Sequence, residues 1–190
     1  MRRVLFLIAV AALALASCTQ TANTDASGVN ADAAEQIQDE VNGMALKLTS
    51  PAFEHNAVIP EKFTCDGEDV NPELSIEGVP SGAKSLVLIM DDPDAPPKVW
   101  EHWTVINIPP TTANIPENTV PEGKQLTNDF RKVEWGGPCP PPGKVHHYNF
   151  KLYALDTILE LDSSATKEDV EEAMQGHVIE ETVLIGTYER

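Results

Sequence analysis

Apolar residues along this chain fall in short segments that read as β-strands, some alternating with a two-residue period and some continuous. Ala45 to Ser50 alternates in this way, with Leu46 and Leu48 on one face, the pattern of an edge strand. Ser85 to Met90 is a continuous apolar run, as expected of a strand buried on both faces, and Trp103 to Ile108 is a second. In a strand starting at His146, the side chains of Tyr148, Phe150, Leu152 and Ala154 share one face, and Thr182 to Tyr188 supplies a closing strand. Only one segment carries a clear helical pattern. Thr166 is the N-cap, with Asp169 three residues on; Val170, Ala173 and Met174 share a face, and Gly176 supplies the stop. Prolines punctuate nearly every connection. The pattern predicts a mostly β domain, an antiparallel sandwich with one or two short helices at its C-terminal end.

The first residues follow a different logic. Met1-Arg2-Arg3 precedes an apolar run from Val4 to Ala16, and Leu15-Ala16-Ser17 leads into Cys18. At about 1.5 Å per residue the run spans roughly 20 Å, short of a hydrocarbon core about 30 Å thick, so it reads as a signal peptide and not as a membrane span. Leu15-Ala16-Ser17-Cys18 is similar to a bacterial lipobox, which would make residues 1–17 a lipoprotein signal and Cys18 the acylated first residue of the mature chain. The alternative is a cut after Ala14-Leu15-Ala16 that releases a soluble protein. Residues 18–43 are rich in Ala, Asn, Thr, Asp and Gln and read as a tether, with a short helix around Ala33 to Val41 allowed. Residues 44–190 are then one domain of ordinary size. The expectation is an exported protein on the periplasmic or cell-surface side, held to the membrane by lipid.

Composition narrows the partners. The formal charge is −17, from 13 basic and 30 acidic residues, and becomes −19 without Arg2 and Arg3. Such a surface argues against nucleic acid, whose binding rests on Lys and Arg neutralising phosphates, and against docking by charge on an anionic membrane. If Cys18 goes to lipid, Cys65 and Cys139 remain as a pair that an oxidising compartment would join; two free buried thiols are the alternative. A bridge closing about 75 residues would stabilise by at most about 4.5 kcal/mol in the chain-entropy account.

Candidate chemistry gathers in three segments that flank strands: Asp91-Asp92-Pro93-Asp94-Ala95-Pro96, Glu101-His102-Trp103, and Gly137-Pro138-Cys139-Pro140-Pro141 leading to His146-His147-Tyr148. Strand ends could bring them to one rim, with His146 and Tyr148 on one face and His147 on the other. In this order and spacing the segments resemble the phosphatidylethanolamine-binding protein family, also called Raf kinase inhibitor-like, and its bacterial and archaeal branch in particular. The likeness runs from about Leu46 to Tyr188 and includes Asn107-Ile108-Pro109. It implies a β-sandwich with a small pocket for phosphate, phosphorylethanolamine, acetate or similar anions. Matched by position, the pocket residues are Asp92, Trp100, His102, Pro140, Pro141, His146 and Tyr148. The resemblance also implies the Cys65–Cys139 disulfide, and a rim that can meet a protein partner such as a kinase or a peptidase. Glu101 stands where relatives often carry an aromatic residue, and Asn71 where some carry Ser, which predicts a more acidic pocket mouth.

The residues support an anion pocket by their own chemistry. Imidazoles and a phenol donate hydrogen bonds without a permanently charged cation being buried, and Asp92 can hold one imidazole in a donating tautomer or receive an ammonium group. Each piece has a plainer reading: Asp-Pro-Asp-Ala-Pro is by itself a turn, and a lone His beside Trp103 is a core residue. His146-His147 is no zinc pair, because neighbours on a strand face opposite ways, and neither a metal nor a cofactor is expected. No G-x-S-x-G, H-E-x-x-H or Gly-rich phosphate loop is present, so the expectation is a binding protein and not an enzyme. A weak hydrolase or lyase using an Asp and His pair is the second reading.

Overall fold

The computed structural model describes residues 45–190. The leader, Cys18 and the tether lie outside the described residues. Among the described residues, nine strands form two sheets. β1 (Lys47–Thr49), β3 (Leu74–Glu77) and β6 (Asn114–Ile115) make the smaller one, in the order β1-β3-β6. The larger one runs β2-β9-β8-β4-β5-β7, from β2 (Ala57–Val58), β9 (Val178–Tyr188), β8 (His146–Leu155), β4 (Ser85–Asp92), β5 (Trp100–Ile108) and β7 (Lys124–Gln125). All pairings are antiparallel except the two-residue pairing of β2 with β9.

Two cores explain the sequence pattern. Leu46, Leu48, Leu74, Ile76 and Ile115 of the small sheet and its flanks pack against Leu86, Leu88, Met90, Trp103, Val105, Phe150, Leu152 and Leu184 of the large one. Behind the large sheet, Val87, Ile89 and Ile106 pack with Leu126, Leu155 and Leu159 and with Val170 and Met174 of the helical segment. β4 lies between β8 and β5 with a core on each face, so all eight of its residues are buried and its sequence runs apolar without alternation. β8 has one face in the inter-sheet core and alternates.

The helix is α1 (Lys167–Ala173), and it has the expected ends. The Thr166 hydroxyl accepts from the Asp169 backbone N–H, and the Asp169 carboxylate accepts from the Thr166 N–H at 2.8 Å. Gly176 takes a φ of 78° shortly after the last turn. A helix of seven residues is not stable alone, and burial of Val170 and Met174 holds it.

Three strands are longer than the apolar runs that announce them. β4 continues through Asp91 and Asp92, β5 begins at Trp100, and β9 begins at Val178. The polar residues at the first two of these ends therefore have strand geometry, and each is assigned to one face of the sheet.

Candidate functional site

The C-terminal end of β4 and the N-terminal ends of β5 and β8 meet at one rim, because β4 runs antiparallel to both neighbours. Asp92 lies opposite Trp100 on the inter-sheet side, and Asp91 lies opposite Glu101 on the other. His102 would alternate correctly from Trp100, but Trp103 would then point out of the core. A β-bulge resolves the conflict: Asp91 pairs with Glu101 and Met90 with Trp103, leaving His102 as the extra residue. His102 thus points into the rim while Trp103 enters the core.

Asp92, Trp100, His102, Pro140, Pro141 and His146 line one cleft of about 270 Å³. Ala95, Pro96, Phe130 and Cys139 complete its wall. Asp92 and His146 are each 3% exposed, and His146 Nδ1 donates to Asp92 Oδ2 at 2.7 Å. Asp92 Oδ1 accepts from the Asp94 backbone N–H at 2.8 Å, which closes the turn after β4. His102 Nδ1 donates to the Gly136 carbonyl at 2.7 Å. Burial pushes the His102 pKa below the ordinary imidazole value, partly offset by that carbonyl and by the charge on Asp92. Among the described residues, none hydrogen-bonds to Nε2 of either ring. Both rings line the cleft, which leaves Nε2 as the nitrogen free to face it.

Tyr148 has a different place. Its ring stands edge-on to His102 with centroids 5.3 Å apart, behind the cleft wall. The hydroxyl is sealed from solvent and makes no hydrogen bond of ordinary geometry. Burial raises its pKa well above the usual phenol value, so the group stays protonated as an unpaired donor.

Two residues expected to make the pocket mouth acidic do not act as the sequence suggested. Glu101 is buried on the opposite face of the sheet, accepts a hydrogen bond from the Thr104 hydroxyl, and is held above the usual carboxylate range by burial. Asn71 fastens a loop: its amide donates to the Pro72 and Pro116 carbonyls and its oxygen accepts from the Thr119 N–H. Neither lines the cleft, so the expectation of a more acidic mouth fails. Strand alternation is the reason, since a one-residue step moves a side chain through the sheet. His147, as expected, faces away and pairs with Asp94 at 2.7 Å on the surface.

Phe130 is the wall residue the sequence left unmarked, a lone aromatic in a polar loop. Its ring stands edge-on to both Trp100 and His102, at 5.5 and 5.3 Å. The ring covers Gly136, where a Cβ would come within 2.6 Å of it, so glycine is required beneath Phe130. Cys139 is bonded to Cys65 with Cα atoms 5.4 Å apart, as the cysteine count suggested. The bridge and the bond from the Cys65 N–H to the Pro138 carbonyl tie the Pro140-Pro141 wall to the loop after a 3-10 turn at Glu61–Phe63.

Known proteins share this architecture. A protein designated UPF0098 from Methanothermobacter thermautotrophicus is 52% identical over 151 residues, covering 76% of this chain and 99% of its own length. Another from Pyrococcus horikoshii is 49% identical over 156 residues, covering 77% and 78%. Among solved structures, a protein described as a phosphatidylethanolamine-binding protein homolog from Chlamydia trachomatis superimposes with a TM-score of 0.74 at 42% identity, covering 77% of this chain and 98% of that one. YbcL of E. coli, described as a member of the mammalian family of the same name, gives 0.71 at 32% identity, covering 77% and 99%. The family model for phosphatidylethanolamine-binding protein matches residues 49–189, a span that holds the large sheet, all of the small sheet but the first two residues of β1, the helix and every residue of the cleft; by that match and those identities, the chain belongs to the phosphatidylethanolamine-binding protein family.

Proposed function

We propose that the domain binds a small oxyanion, phosphate or a phosphorylethanolamine-like headgroup, in the rim cleft, and that a lipid on Cys18 holds it outside the cytoplasm. The observation that carries the cleft reading is the pair of buried imidazoles, each fixed through Nδ1 and each presenting Nε2 to the same space. Among the described residues, no Lys or Arg lines the cleft. On a chain with a formal charge of −17, an anion there depends on local donors to outweigh a repulsive field.

Binding fits these groups better than turnover does. Asp92 and His146 have the geometry of an acid-base pair, but no serine, threonine or free thiol lines the cleft to act as a nucleophile, and Cys139 is spent in its disulfide. Calorimetry with inorganic phosphate tests the reading. His102→Ala and His146→Ala should each weaken binding about ten- to a hundredfold, the range for a hydrogen bond to a charged group. Unchanged binding in both variants would remove the cleft from the argument. Turnover of a phosphomonoester abolished by the same substitutions would favour an enzyme.

A further inference from the structure

We propose that the cleft selects oxyanions that carry a proton of their own, hydrogen phosphate over sulfate, because its two imidazoles meet the ligand in opposite roles, His102 as acceptor and His146 as donor. The inference rests on the oxyanion reading above and adds the protonation state of the ligand.

A backbone carbonyl can only accept, so the 2.7 Å bond to the Gly136 oxygen places a hydrogen on His102 Nδ1. In the neutral ring Nε2 is then a bare lone pair. The rings of Tyr148 and Phe130 pack at steep angles against the His102 ring, the Gly137 backbone lies near it beside Gly136, and the Asp92 and Asp91 carboxylates lie further off. Asp92 is already engaged by His146 and by the Asp94 N–H, so His102 has no carboxylate of its own to balance a second proton. Its low exposure, 3%, disfavours the charged ring further.

His146 stands differently. Its Nδ1 hydrogen points at Asp92 Oδ2 at 2.7 Å, so a proton added at Nε2 makes an imidazolium resting on a counter-ion. That proton points into the cleft and is available to an anion. A ligand that fits both rings must therefore accept from His146 and donate to His102. Inorganic phosphate keeps at least one proton throughout the neutral range and can do both. Sulfate has none, and its oxygen lone pairs meet the lone pair of His102. A phosphomonoester offers the needed proton only as its monoanion, below about pH 6. A polar site built to receive a donor rejects an isosteric ligand that lacks it far more strongly than an apolar pocket rejects a misfit.

The comparison is cleanest at about pH 8, where phosphate is mostly the dianion, so that it matches sulfate in charge and differs by one proton. Calorimetry on the full chain at constant ionic strength should show phosphate at least about tenfold tighter than sulfate, the cost of one unmatched buried acceptor. His102→Gln, whose amide can donate as well as accept, should bring the ratio toward one. Independently of how that variant folds, nitrogen-15 shifts of the wild-type rings supply a second readout: with phosphate bound, His102 Nε2 should keep the shift of an unprotonated nitrogen. Equal affinity for the two anions, tighter sulfate, or a protonated His102 Nε2 in the phosphate complex overturns the selectivity while leaving anion binding in place. Binding of neither anion overturns both.

Discussion

Burial of His102 has a consequence for stability as well as for binding. Its pKa in the folded protein is depressed by desolvation, so below the ordinary value of 6.5 the unfolded chain takes up a proton that the folded ring resists. Stability from this residue is therefore fully present above about pH 6.5 and is lost as the pH falls toward the lower folded value. His102→Gln should flatten that part of the profile, measured as the denaturant midpoint at a series of pH values. A profile equally steep in the variant would mean that His102 is not the group responsible. Tyr148, directly behind, shows the same principle without titrating: its hydroxyl is buried and makes no hydrogen bond of ordinary geometry among the described residues.

Among the elements, the end of β4 divides its two carboxylates between two faces. Asp92 goes to the cleft, while Asp91, fully buried, receives Lys151 at 2.7 Å and Lys167 at 3.0 Å on the helix side. Lys167 is the first residue of α1, so this ion cluster fastens the helix to the sheet behind the cleft. Asp91→Asn should cost about 2 to 3 kcal/mol, less than the roughly 3 to 5 kcal/mol for breaking a fully buried pair, because both ammonium groups can still turn partly to water. Chemical denaturation measures the total. Hydrogen exchange should place the loss in α1, at the Val170 and Met174 amides that close its turns. Exchange unchanged there with full loss elsewhere would show that the cluster serves the sheet and not the helix.

At the scale of the whole molecule, the disulfide closes a span of 74 positions and joins two loops on the side of the cleft wall, where chain connectivity alone would leave them free. The proposed anchor acts at the other end of the chain. Labelling cells with a fatty acid should mark the wild-type protein and not Cys18→Ala, since Cys65 and Cys139 are committed to each other. Equal labelling of both would end the lipoprotein reading.

The alternation of β8, the unbroken apolar run of β4 and the capping box of α1 were legible because each reports a local period or a contact three residues away. The short strands β2, β3, β6 and β7 were not, since two to four residues carry too little pattern and exist as strands only by pairing with distant neighbours. In the cleft, the sequence alone determined the residue types and their order, and through resemblance it named Asp92, Trp100, His102, Pro140, Pro141 and His146 as companions. Only the tertiary structure decided the roles. The bulge at His102 breaks the alternation that sequence reasoning assumes, Glu101 falls on the far face, Tyr148 lies behind the wall, and Phe130 arrives from a loop with no periodicity to betray it. Side-chain chemistry is a local property written in the sequence, whereas the face a side chain occupies and the partner that fixes its proton depend on register between strands far apart in the chain.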